Sequence, residues 1–128
     1  MRTEKELEDR KKIYLKSYCQ TKLSAKIIEV EIAMLQSEKN KAYYSDADRL
    51  LIKEWIMREK EMCDKLIKTH INIVDKIELM SDPTEKNLLR LKYIHGMTWE
   101  EVSDEIGYSY RQIHNIHKRA LQNFNINI

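Results

Sequence analysis

The sequence predicts an all-α protein: a long, coiled-coil-like two-helix hairpin over residues 1–80, followed by a three-helix domain over 81–128. Three observations lead there. Among 128 residues there are two Gly and one Pro, too few for a sandwich or barrel, which needs a turn about every 8–12 residues. Neither 3–38 nor 47–80 contains a Gly or Pro, and apolar residues recur through both at three- and four-residue steps, the spacing of one helix face. Beyond residue 81 three capping sequences follow at short intervals, enough for three short helices. Hydrophobic residues at 42%, charged residues at 34% and a mean hydropathy of -0.65 fit amphipathic helices with a large surface relative to core, and the recurring apolar spacing argues against disorder. A chain of this length has room for one domain, or a small domain plus an extended helical segment, and not for a multidomain enzyme.

In the first helix Leu23, Ile27, Val30 and Met34 follow 4-3-4 spacing, with Ile28, Ile32 and Leu35 as a second row beside them. Leu7, Tyr14, Leu15 and Tyr18 extend the pattern less regularly among Lys and Glu. Residues 38–45 break the periodicity, with Asn40 as a stop and Ser45 or Asp46 as the next N-cap. The second helix carries Leu51, Trp55, Met62, Leu66, Ile73, Ile77 and Met80 as a heptad-like seam. Some 34 residues of helix reach about 50 Å, so this seam needs a partner along its length: the first helix folded back, and a second copy of the protein. Residues 1–80 are therefore expected to serve oligomerisation, as a homodimer, or partner binding.

Asp82-Pro83-Thr84-Glu85 resets the chain, with Asp as cap, Pro at the first helical position and Glu three residues after the cap. Leu88, Leu89, Leu91, Tyr93 and Ile94 make a short apolar helix ended by Gly96. Thr98 with Glu101 opens a second helix whose inner positions are Trp99, Val102 and Ile106, ended by Gly107, and Ser109 with Gln112 opens a third that runs to about Phe124. From Trp99 onward these residues meet the requirements of a helix-turn-helix. Ser103 is the small residue in mid-helix, Gly107 four residues on supplies positive φ, and Ile113 and Ile116 anchor the following helix.

Net charge is only +2, from 23 basic and 21 acidic side chains, so distribution matters more than total. Residues 109–128 carry Arg111, Lys118 and Arg119 without an acid, whereas Glu100, Glu101, Asp104 and Glu105 precede them. With Ile113, Ile116, Ala120 and Phe124 facing inward, Arg111, His114, Asn115, Lys118 and Gln122 share an outer stripe. Arg and Asn near the start of such a helix suit guanine and adenine edges in a major groove, and Lys118 and Arg119 suit phosphates. Tyr108 and Tyr110 flank the cap, each equally suited to a packing or phosphate contact and to reading a base. Double-stranded DNA is the expected partner.

Other chemistry finds little support. His114 and His117, one turn apart and with His95 nearby in sequence, lack a Cys or carboxylate at ligand spacing, so no metal is expected. A chain with two Gly has no phosphate loop, and no nucleophile elbow or HExxH motif occurs; neither a cofactor nor enzymatic activity is expected. Cys19 and Cys63 form no CxxC motif and read as buried, reduced thiols. The charged start MRTEKELEDRKK and the lack of an apolar run of ~18–20 residues point away from a secretory signal or a membrane span, and so to the cytoplasm.

The stretch DPTEKNLLRLKYIHGMTWEEVSDEIGYSYRQIHNIHKRAL, residues 82–121, resembles region four of bacterial sigma factors, which recognises the promoter −35 element. With the Lys/Glu-rich helices before it, the chain resembles phage and prophage regulators of the ArpU and RinA type. That resemblance implies a sequence-specific transcriptional regulator, with RNA polymerase as a further partner. It places base and phosphate readers at Tyr110, Arg111, Gln112, His114 and Asn115. Primary sigma factors typically hold Arg, Glu, Arg, Arg and Gln there, so the standard −35 hexamer is not implied. The aromatic-rich region that opens the −10 element is also absent, which favours a regulator over a sigma factor. Two other readings stay open: a small-terminase-like subunit for DNA packaging, and a polymerase-interaction module that does not bind DNA.

Overall fold

The computed structural model describes residues 3–127 and contains no strand among them. Five α-helices follow one another: α1 (Glu4–Lys39), α2 (Asp46–Glu78), α3 (Pro83–Leu89), α4 (Trp99–Ile106) and α5 (Tyr110–Asn123), with a π-helical turn at Arg90–Ile94 extending α3. The chain divides into two compact units, one drawn from residues 1–20 and 71–128 and the other from residues 21–70. The sequence boundary at 80/81 thus falls inside the first unit, because the start of α1 and the end of α2 contribute to the same core as the three C-terminal helices.

The 21–70 unit is a helical hairpin. Thr21 and His70 share a hydrogen bond of 2.6 Å, and Ala25, Ile28 and Cys63 form a buried cluster with Ile32 and Leu66 against it. Ile56 is buried as well. Ser45 caps α2: its hydroxyl accepts from the Asp48 amide at 3.1 Å, and the Asp48 carboxylate accepts from the Ser45 amide at 3.2 Å. Before the turn, the Glu38 carboxylate accepts from the hydroxyls of Tyr43 and Tyr44 and pairs with Lys41 at 3.0 Å, which holds its pKa down at about 2.

Of the two apolar rows on α1, the one that faces inward is Ile28, Ile32 and Leu35, whereas Leu23, Ile27, Val30 and Met34 are exposed. On α2, Ile73 and Ile77 are buried but Leu51, Trp55 and Met62 lie on the outside, and Ile56 and Cys63 occupy the inner positions. A straight helix drifts about 20° per heptad against a seven-residue repeat, so one long seam need not stay on one side.

In the other unit, Leu15 of α1 and Ile73, Ile77 and Met80 pack with Leu88, Leu89, Tyr93, Val102, Ile113, Ile116, Ala120, Leu121 and Phe124 in a single core. Leu15 is fully buried although it lies in the least regular part of the apolar pattern. Lys11 of α1 donates to the Leu121 carbonyl at 2.7 Å and lies 3.5 Å from that of Gln122. A cation thus sits on the C-terminal carbonyls of α5, where the helix dipole favours one; burial lowers its pKa, and Glu8 opposes that shift. Lys76 donates to the Ile126 carbonyl at 3.0 Å and also lies over the Tyr14 ring.

All three predicted caps form. The Asp82 carboxylate accepts from the amides of Thr84 and Glu85 at 2.9 and 3.1 Å, and Thr98/Glu101 and Ser109/Gln112 are reciprocal capping boxes. Glu85 departs from the expected box: its buried carboxylate accepts from Asn123 at 2.6 and 3.2 Å, tying α3 to the end of α5. The first C-terminal helix also departs from a plain α-helix, since residues 90–94 form a π-helical turn, with the His95 amide donating to the Arg90 carbonyl five residues back, before Gly96, at φ 69, ends it.

Candidate nucleic-acid interface

Gly107 sits at φ 84, in the left-handed region, and its amide donates to the Ser103 carbonyl at 2.9 Å, closing α4. Ser103 does more than leave room for a crossing helix, because its hydroxyl donates to the Tyr108 carbonyl on the far side of the turn. Two residues later Ser109 starts α5, and Ile113 and Ile116 are buried as expected, with Ala120, Leu121 and Phe124 continuing the inner face. The turn and the anchored face together fix which side of α5 is open.

That open side holds Tyr110, Arg111, Gln112, Asn115, Lys118, Arg119 and Gln122, all exposed. Gln112 is partly committed, since its carbonyl oxygen accepts from the Ser109 amide at 2.9 Å; its amide nitrogens are left to face outward. His114 departs more from the expected stripe. It is half-buried, with its ring 4.3 Å from that of Tyr110 and 5.0 Å from that of Trp99. Next to it the buried His117 hydrogen-bonds the Tyr93 hydroxyl at 2.7 Å, and its ring lies 4.6 Å from Trp99. Burial, with Lys12, His114, Lys92 and Lys16 adding to it, lowers the His117 pKa to about 4. Burial likewise raises that of Tyr93. The neutral imidazole and the phenol therefore form a neutral hydrogen bond, and the aromatic group fixes α5 against α4 and the π turn.

Two arrangements, involving Lys92, Thr84 and Asp82, escaped the sequence pattern. Lys92 of the π turn lies over the Trp99 ring at 4.6 Å, bringing a cation beside the start of α4. Thr84 and Asp82, at the start of α3, line an open groove of about 590 Å³ with Tyr108, Gln112, Asn115, Lys118, Arg119 and Gln122. The groove thus holds one acid, Asp82, although α5 itself has none; its carboxylate is occupied by the cap amides. Both arrangements come from contacts between helices, which spacing along one helix does not encode. Among the described residues no three His, Cys, Asp or Glu side chains assemble as a metal-ligand set, and none of the helices is long and apolar enough to cross a membrane.

The family Sigma-70, region 4, matches residues 82–123, the segment from the Asp82 cap to the end of α5. This segment is similar to domains of the sigma-70 region 4 type. Domains of that type are DNA-binding and non-enzymatic. Two curated relatives are also similar. RNA polymerase sigma-G factor of Clostridium acetobutylicum is 32% identical over 80 residues, covering 62% of this chain and 30% of that protein. RNA polymerase sigma factor SigO of Bacillus subtilis is 44% identical over 39 residues, covering 30% of this chain and 22% of its own length. The chain thus matches less than a third of either relative. No solved structure matches. The matched segment includes the turn at Gly107 and helix α5.

Proposed function

We propose that the protein is a sequence-specific, double-stranded DNA-binding regulator of transcription, acting on phage or prophage genes in the cytoplasm. The observation that carries this reading is the exposed, acid-free face of α5, presented by a left-handed Gly107 turn and anchored by Ile113 and Ile116. A helix so presented, with Arg111 and Asn115 in its first two turns, is suited to a major groove, and Lys118 and Arg119 to the flanking backbone. Relation to sigma factors adds RNA polymerase as a partner, and the exposed apolar rows of the long helices support a homodimer. Selection of bound duplexes from a random pool tests the reading and is expected to yield a discrete motif. Affinity for that motif should fall with salt at a log–log slope of about −0.9 per phosphate neutralised. Failure to bind any duplex at low salt would leave polymerase interaction without DNA, and a ring-sized assembly in light scattering would point to a packaging subunit.

A further inference from the structure

The hairpin core of residues 21–70 leaves one row of α1 unused. Leu23, Ile27, Val30 and Met34 are 64, 49, 53 and 66% exposed, and their 4-3-4 steps are the alternating d and a positions of a heptad repeat. The spacing specifies another helix as the occupant, since knobs at those intervals fit the holes of a helix supercoiled alongside. The flanking charges specify which helix and in which direction. Lys26 precedes Ile27, at a g position, and Glu31 follows Val30, at an e position. In a parallel pair of identical helices g faces the e of the partner's next heptad, five residues on. Lys26 and Glu31 are five residues apart, so two-fold symmetry forms the pair twice. An antiparallel pairing along the same row sets Lys26 beside Ala33 and Glu31 beside Ser24, with no opposite charge for either.

The state of these two side chains within one chain agrees. The Glu59 carboxyl beside Glu31 raises its pKa, and no cation pairs with either acid among the described residues. Lys26 is exposed and makes no ion pair among them. A lysine arriving from a second copy offsets the crowding of the two carboxyls.

We propose that α1 pairs in parallel with α1 of a second copy of this chain along Leu23, Ile27, Val30 and Met34, with Lys26 of each copy against Glu31 of the other. This rests on the homodimer in the function proposed above and specifies its face and direction. Sedimentation of the full chain across roughly 1–500 μM is expected to show a monomer–dimer equilibrium. Ile27→Glu should abolish the dimer, and Ile27→Gln, a milder change, should weaken it; Ile27 is exposed, and circular dichroism checks that the fold survives. Lys26→Glu and Glu31→Lys should each raise the dimer Kd, by about tenfold for two reversed pairs, and the double variant should restore it. In a Cys19→Ser background, Val30→Cys should oxidise to a covalent dimer, since a d position meets its own copy across a parallel seam. A monomer at every concentration overturns both the seam and the homodimer. A dimer indifferent to Ile27→Glu overturns the seam alone. Cross-linking that requires a mixture of Ile27→Cys and Val30→Cys chains shows the antiparallel arrangement and overturns the direction.

Discussion

Arg111 and Asn115 stand exposed on the first two turns of α5, and Lys118 and Arg119 one turn further along. If the first pair reads bases, Arg111→Ala or Asn115→Ala should cost about 1–3 kcal/mol on the selected motif and relax the preference at one base position. Lys118→Ala or Arg119→Ala should weaken all duplexes alike and flatten the salt slope by about one unit. Binding assays on the selected and scrambled duplexes check both, and an unchanged motif after Arg111→Ala and Asn115→Ala would move the reading face elsewhere. His117 carries a different prediction. Its folded pKa of about 4 lies below the ordinary 6.5, so between those values the unfolded chain binds the proton more readily. The stability that the neutral ring contributes is fully present above pH 6.5 and is lost as pH falls towards 4, by about 3 kcal/mol. Urea denaturation at a series of pH values should show this loss in the native protein, and His117→Phe should remove that part of the pH dependence.

Gly107 is the element-scale counterpart, because α4 ends and α5 is aimed at that one residue. An added Cβ would meet nothing within 4 Å, yet φ is 84. The cost of Gly107→Ala is therefore conformational, about 1–2 kcal/mol for a left-handed non-glycine residue, and a thermal melt should show it without a change in the selected motif. This turn was legible in the sequence because its requirements are local: positive φ, a cap and an apolar anchor each fall at a fixed offset. The three caps were legible for the same reason, as was the hairpin, whose two helices contain no breaker. The side each apolar row faces was not legible. Ile28 and Leu23 are equally apolar, and only packing against Cys63 and Leu66 makes the first a core residue. Nor does spacing reveal that Glu85 turns to Asn123 or that the His114 ring packs against Trp99 of α4, since each depends on another helix. For the candidate site, the exposed Arg111, Asn115, Lys118 and Arg119 follow from the α5 pattern alone, whereas Thr84 and Lys92 enter through neighbouring elements.

Across the whole molecule the buried clusters fall within one unit or the other, and none of the core residues of the first comes from 21–70. Replacing residues 25–66 by a short turn is therefore expected to leave a chain that melts cooperatively by circular dichroism and still binds the selected DNA motif, but no longer self-associates. The fragment 81–128 should fare worse. It forfeits the buried Leu15, Ile73, Ile77 and Met80, at about 1.5–3 kcal/mol for each large apolar side chain removed from the core, and the Lys11 contact with the end of α5. The distribution of the two cysteines has a practical consequence. Cys19 is exposed and belongs to the first unit, whereas Cys63 is buried in the second, with its thiol pKa raised by burial and by Glu29 and Asp64. A thiol-modifying reagent should thus label the native chain in two phases: one equivalent promptly at Cys19, and a second only as fast as the hairpin opens around Cys63. The delay between the two additions, followed by mass spectrometry, is a clock for the opening of one unit that requires no engineered probe.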